Sequence, residues 1–486
     1  MATGPEALVR LTPGTGTRTA RLAVALRDAI RAGRLAPGSR VPATRALAHD
    51  LGLSRGVVVE AYDQLIAEGL LVARRGAGTT VAPTMALPTT TPTQRVMQPA
   101  GSASAPHHTT RSPLDAHDVG AALTAPLRPG VPDLAAFPRA AWLRAYRSAL
   151  TAAPHTALGY GDPAGMLPLR TALAEYAGRV RAARCEPADV IVTGGVAQGL
   201  AMVARVLIAG GTNRVAVEDP GSPQTRGQLV AHGLTPVPIP MDADGLITSA
   251  LPTGAAAARL GAVLVTPAHQ YPTGVVLAPD RRAALLAWAR AHDVLVIEDD
   301  YDAEFRYDRE PVGCLQGSGP DVVVLATSVS KTLAPGLRLG WLVVPPGRRV
   351  ALTEAKFRAD LGEPVLQQLA FAELLRSGAY DRHLRRARLR YRRRRDALAT
   401  ALAERLPGAT VTGIAAGLHL VLEMTRETDE AALVSAAHGA GLAPQGLTAT
   451  RIASSGPPGL VLGYAAHPEP VLIRAARRLA ALIVGD

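Results

Sequence analysis

At 486 residues the chain is longer than one ordinary core organises, so two or more domains are expected, and 48% hydrophobic against 19% charged residues excludes a globally disordered chain. No run of about 18 apolar residues occurs, the opening MATGPEALVR lacks the order of a signal peptide, and Cys185 and Cys314 stand without CxxC spacing, so a cytoplasmic protein with no membrane partner, disulfide framework or structural metal is expected. The net charge of +12 favours polyanionic partners, and arginine carries nearly all of it: fifty arginines stand beside two lysines, Lys331 and Lys356.

Residues 1–82 read as a small helical unit. Leu22, Leu26 and Ile30 recur at helical spacing before Gly33. A short second helix is expected from about Thr44 to Asp50, ending at Gly52. Ser54 then caps a third helix, with Val58, Tyr62, Leu65 and Ile66 on one face. LLVARRGAGTTV follows as two short strands around a glycine-containing turn. Three helices and a basic hairpin are the layout of a winged helix-turn-helix. The unit holds eleven arginines against six acidic residues, which suits phosphate binding. Arg45 starts the second helix, and Ser54, Arg55 and Gly56 open the third, whose first turn a recognition helix presents to base edges.

Residues 83–125 are rich in Pro, Thr, Ala and Ser and show no apolar period, so a flexible linker is expected there, with His107 and His108 as a solvated pair. From 126 to 486 short apolar runs alternate with helical stretches. VIVTGG, RVAVEDPG, AVLVTPAHQ, VLVIEDDYD and VVVLATSVSK are continuous apolar strands ending in small or polar residues, the pattern of a mainly parallel sheet covered on both faces. After about 345 the pattern turns helical, with a small α+β subdomain from about 405. The expected fold is α/β with a winged helix in front. RHLRRARLRYRRRRD, residues 382–396, reads as a helix with solvated arginines on its outer faces.

Ligands of an open α/β sheet bind beyond the carboxyl ends of its strands, so the tails should converge on a site. One tail delivers Lys331. Arginine cannot be usefully deprotonated, whereas lysine can act as a neutral amine and condense with an aldehyde. Another tail delivers Asp299, Asp300 and Tyr301, and TGGVAQGL turns small residues into a helix N-terminus. Lysine, carboxylate, phenol and a helix end open to an anion are the parts that hold pyridoxal phosphate, PLP. Arg338 adds a guanidinium that suits phosphate.

The motifs VPATRALAHDLGLSRGVVVEAYDQL, EGLLVARRGAGT, YGDPAGMLPLR, TPAHQYPTG, IEDDYDAEFRY and SKTLAPGLRLGW occur in this order. Residues 18–82 resemble GntR-type winged-helix domains and 126–486 resemble fold type I aminotransferases. Together they resemble the MocR subgroup of GntR-type transcription regulators. That resemblance implies Lys331 as the aldimine lysine, Asp299 as partner of the pyridine nitrogen, with Asp300 the competing choice, and Tyr301 as partner of the ring oxygen. It places Ser328 and Arg338 on the phosphate, with the backbone of Gly195, Val196 and Ala197 as its cup. His269 is implied near the ring, and Tyr160 at the partner subunit's phosphate, hence a homodimer. On DNA it implies Arg45, Ser54, Arg55, Gly56 and the wing tip Arg75 and Gly76.

Three positions depart from the aminotransferase pattern. Ser222 stands where an aromatic ring stacks on the pyridine, and Ala197 lacks a hydroxyl at the cup. Val461 stands where an arginine takes the substrate carboxylate, with Arg451 as a possible substitute. In the reader, Val57 replaces a threonine. The expected function is an operator-binding regulator that senses PLP or an amino compound; the alternative is a working aminotransferase with a DNA-binding module.

Overall fold

The computed structural model describes residues 17–31, 35, 38–67, 70–74, 78–82, 125–307 and 313–484. The wing tip Arg75 and Gly76, and the linker apart from Ala125, lie outside the described residues. The chain divides into two compact units, Met1–His108 and Thr109–Asp486.

In the first unit, α1 spans Arg18–Arg31, α2 Thr44–Asp50 and α3 Arg55–Ala67, followed by the antiparallel strands β1, Leu71–Arg74, and β2, Gly78–Val81. Leu22 and Leu26 of α1, Leu47 of α2 and Val58, Tyr62 and Leu65 of α3 are buried together. Their spacing of three and four residues puts each set on one helix face, and burying such faces is what holds three short helices. The Tyr62 hydroxyl donates to the Pro42 carbonyl at 2.7 Å, which ties α3 to the segment before α2. Gly52 takes φ +62° between α2 and α3, a left-handed turn that suits glycine.

The second unit is built on an eight-stranded sheet of order β3-β10-β9-β8-β7-β4-β5-β6. Its strands are β3, Val190–Thr193; β4, Arg214–Asp219; β5, Thr235–Asp242; β6, Gly245–Leu246; β7, Leu260–Val265; β8, Leu295–Asp299; β9, Val323–Ser328; and β10, Gly340–Val343. Neighbours from β9 through β5 run parallel, and β10 lies antiparallel between β3 and β9. The five apolar runs are strands, buried on both faces as their composition requires. Sequence reasoning missed β5, TPVPIPMD. Its prolines recur at every second position, 236, 238 and 240, so the missing N–H groups all fall on one side while the intervening residues serve β4.

Helix Ala379–Ala403 leads to a four-stranded antiparallel sheet of β11, Thr410–Thr412; β12, His419–Glu423; β14, Gly459–Gly463; and β13, Gln445–Gly446. The arginines of the long helix are not all solvated. Arg394 is buried, 3.0 Å from Asp133 and hydrogen-bonded to the Ala465 carbonyl, while Arg385, Arg386, Arg392 and Arg393 are exposed. Leu127 bridges to Gly463, so the segment leading into the unit starts on the small sheet.

Candidate functional site

Two consecutive carboxylates leave the end of β8 on opposite sides, as strand alternation dictates. Asp300 turns into the protein, where the Arg181 guanidinium donates to it at 2.7 and 3.1 Å. Asp299 lines a cavity of about 690 Å³, and its Oδ1 is buried with no hydrogen-bond partner among the described residues. Burial and the neighbouring Asp300 push the Asp299 carboxyl up to about 7, against the pull of Lys331.

The cavity opens beyond the carboxyl ends of β4, β7, β8 and β9, where an α/β sheet is expected to hold a ligand. Lys331 reaches it three residues past β9, and its Nζ donates to the Gly130 carbonyl at 2.6 Å. Burial draws the Lys331 pKa below the ordinary amine value, opposed by Asp299 and Asp302. Tyr301 lines the same wall, its hydroxyl 3.0 Å from His269 Nδ1. That nitrogen also lies 2.9 and 3.1 Å from the Asp302 carboxylate. His269 therefore sits behind Tyr301, buried, and is not part of the cavity wall.

The opposite wall comes from the small sheet and the entering segment: Arg128 to Pro132, Leu418, His419 and Gln445. The ring of His419 is neutral, since burial lowers its pKa to about 4, and its Nε2 donates to the Pro272 carbonyl at 3.0 Å. Glu218, at the end of β4, accepts from the Thr266 N–H and hydroxyl at 3.1 and 2.6 Å, and burial raises its carboxyl to about 7.

The remaining sequence-derived residues gather at the ends of β3 and β9. Gly340 pairs with Thr193 on one side and Ser328 on the other, so the three lie in one row. Gly195, two residues past Thr193, opens helix Val196–Ala209 with φ +111°. A methyl on it would stand 3.5 Å from the Arg338 guanidinium. The first N–H groups of a helix have no intrahelical partner, so Val196 and Ala197 present donors beside an exposed guanidinium that forms no hydrogen bond or ion pair with the described residues. The buried Ser328 hydroxyl accepts from Ser330 N–H at 3.4 Å. Tyr160 is 93% exposed and outside this cavity wall.

Two of the three departures, Ser222 and Val461, acquire structural roles. Ser222 lines the cavity and caps helix Pro223–Ala231, its Oγ accepting from Thr225 N–H at 3.1 Å. Val461 is fully buried against Val421 and Leu447, with Tyr271 packed on them. Arg451 donates to the carbonyls of Gly456 and Pro457 at 3.3 and 2.7 Å and does not line the cavity.

In the first unit, Arg45, Ser54, Arg55 and Gly56 are exposed, and neither arginine has a partner among the described residues. Ser54 Oγ accepts from Val57 N–H at 3.4 Å, and Val57 packs half-buried against the core.

Residues 18–81 match the family described as bacterial regulatory proteins, gntR family, and residues 130–479 match aminotransferase class I and II. Over 458 residues, 92% of each chain, the sequence is 36% identical to the HTH-type pyridoxine biosynthesis transcriptional regulator PdxR of Corynebacterium glutamicum. The chain belongs to the MocR subgroup of GntR-type transcription regulators. It is 34% identical to the probable rhizopine catabolism regulatory protein MocR of Rhizobium meliloti, over 90% of this chain and 88% of that one. Kynurenine aminotransferase from Pyrococcus horikoshii, solved in complex with PMP, superposes with TM-score 0.68 at 26% identity, over 74% of this chain and 91% of that one. This MocR-type chain is a DNA-binding regulator whose larger unit has the fold type I aminotransferase architecture. No helix among its described residues is long and apolar enough to cross a membrane.

Sequence reasoning on this MocR-type regulator missed several groups of the cavity wall and the Asp302 carboxylate behind it. Glu218 stands in the EDPG run and Asp302 in EDDYDAEF, so both were within quoted motifs. His419 and Arg128 carry no such signal, because they belong to the opposite wall, assembled from distant parts of the chain.

Proposed function

We propose that the larger unit binds PLP in this cavity and that its occupancy, by PLP alone or by PLP with an amino compound, sets operator binding by the winged helix. The observation that carries the reading is Asp299, which lines the cavity together with Lys331 and whose buried Oδ1 has no hydrogen-bond partner among the described residues. A buried carboxylate without a donor is costly unless a ligand supplies one, and a protonated pyridine nitrogen is such a donor. PLP supplies an aldehyde that condenses with primary amines and a ring that withdraws electrons. Lys331 would be the amine that takes the aldehyde, with its burial favouring the neutral form. Tyr301 would donate to the ring oxygen while Asp302 holds His269 against it. Arg338, Ser328 and the amides of Gly195, Val196 and Ala197 would take the phosphate.

Tyr160 would reach the phosphate of a second copy. Its near-complete exposure, beside exposed Leu158 and Leu167, supports a homodimer contact there. On DNA, Arg45, Ser54, Arg55 and Gly56 would read the operator, with Arg75 and Gly76 at the wing. The name of the corynebacterial relative, a pyridoxine biosynthesis regulator, supports vitamin B6 supply as the regulated process. Turnover of common α-amino acids is not favoured, because Val461 supplies no charge and Arg451 is held by backbone carbonyls. The test is the visible absorption spectrum with PLP of the wild type and of Lys331→Ala, paired with binding to DNA fragments that the chain selects from a random pool. A band in the wild type that Lys331→Ala abolishes, with a change in DNA affinity on adding PLP, is expected. Absence of that band in the wild type refutes the cofactor reading.

A further inference from the structure

The second lysine is as unusual as the first. Lys356 lies on helix Arg349–Asp360 with its side chain fully buried, and its Nζ donates to Asp360 Oδ1 and Oδ2 at 2.8 and 2.7 Å, to Glu363, and to Gln198 Oε1 at 3.0 Å. A buried ammonium is costly unless each of its three donors is met. Here three side chains surround it. An ammonium directs its donors tetrahedrally from one point, whereas the planar fork of arginine would need its acceptors in a plane. That is a reason for lysine in a chain that otherwise spells its cations as arginine.

Gln198 connects this cluster to the phosphate turn. It is the third residue of helix Val196–Ala209, its Nε2 donates to Asp360, and its Oε1 accepts from Gly194 N–H at 2.8 Å. A residue at this position reaching back to the turn before the helix is a variant of the capping box, and it fixes how the chain enters the helix. Glu363 stands close by: a methyl on Gly194 would lie 3.5 Å from its Oε1. Without an ammonium between them, the Asp360 and Glu363 carboxylates would face the turn uncompensated.

We infer that Lys356 is a positioning residue for phosphate recognition, holding the Gly194–Val196 turn through Gln198 and neutralising the two carboxylates behind it. The inference rests on the PLP reading of the cavity. It places a buried ion cluster, outside the cavity wall, in control of how strongly the phosphate group is felt.

Pyridoxal lacks only the phosphate, so the ratio of PLP to pyridoxal affinity isolates that end of the site. The full chain is titrated with each compound, reading the band that Lys331 produces. Lys356→Met is expected to lose tenfold or more on PLP and less than twofold on pyridoxal, with the PLP loss shrinking at high salt. Gln198→Leu, which leaves the lysine and both carboxylates in place, should lower the same ratio by a smaller factor and keeps the test decisive if Lys356→Met misfolds. Lys356→Arg should not restore the wild-type ratio. Where the wild type shows the band, equal losses on the two compounds in the variants, or no loss on either, overturn this inference alone. A wild type with no band overturns the PLP reading and this inference with it.

Discussion

Arg181 grips Asp300 through two hydrogen bonds, 2.7 and 3.1 Å long, with both side chains about 95% buried. The pair commits one of two adjacent carboxylates to the architecture and leaves Asp299 to the cavity. Arg181→Leu should destabilise the chain by about 3–5 kcal/mol, because it strands a buried carboxylate beside another. Denaturant midpoints would show this, and a loss below about 1 kcal/mol would mean that Asp300 finds another partner or water.

Asp299 makes stability depend on pH. Its carboxyl sits at about 7 in the folded chain, against about 4 when unfolded, so between those values the folded state holds a proton that the unfolded state has released. Stability conferred by this group is therefore fully present below about pH 4 and declines as pH rises through 7. In PLP-free protein, Asp299→Asn should match the wild type near pH 4.5 and exceed it at pH 8 by roughly 2–4 kcal/mol. A difference that stays constant across this range would show that the carboxyl titrates normally.

At Ser222 a helix cap occupies the place of a stacking ring. Ser222→Ala should cost about 1 kcal/mol through the lost bond to Thr225 N–H. Ser222→Tyr should lose that cap too, yet bind PLP more tightly if the ring stacks; calorimetric titration beside thermal unfolding separates the two effects.

Arg55 has no partner among the described residues, so its removal should be silent in stability and audible on DNA. Arg55→Ala is expected to weaken binding to selected DNA by about 1–3 kcal/mol if it meets a base edge. If it meets a phosphate instead, the log–log salt slope should fall by about one unit, equally for all sequences. No change in either would move the recognition surface elsewhere.

The sequence revealed what depends on local pattern. Five apolar strands, the glycine turn before helix Val196–Ala209 and the lysine after β9 all follow from runs of neighbouring residues, and the structure places them so. The choice between Asp299 and Asp300 was not legible, because it is made by Arg181, 119 residues away. His419 and Arg128 were hidden for the same reason, since the wall they form appears only when the small sheet folds against the strand ends. The strand β5 was hidden differently: its prolines argue against a sheet unless all the missing N–H groups fall on the side away from β4.

The burial of Lys356 has a practical consequence for chemistry performed on this protein. With only two lysine side chains in the chain and one sealed inside an ion cluster, Lys331 is the single lysine amine within reach of a reagent in solution. Borohydride reduction of an imine on Lys331 and isotopic editing of the lysine amine would therefore report on one pocket, without the background that obscures such labels in a lysine-rich protein.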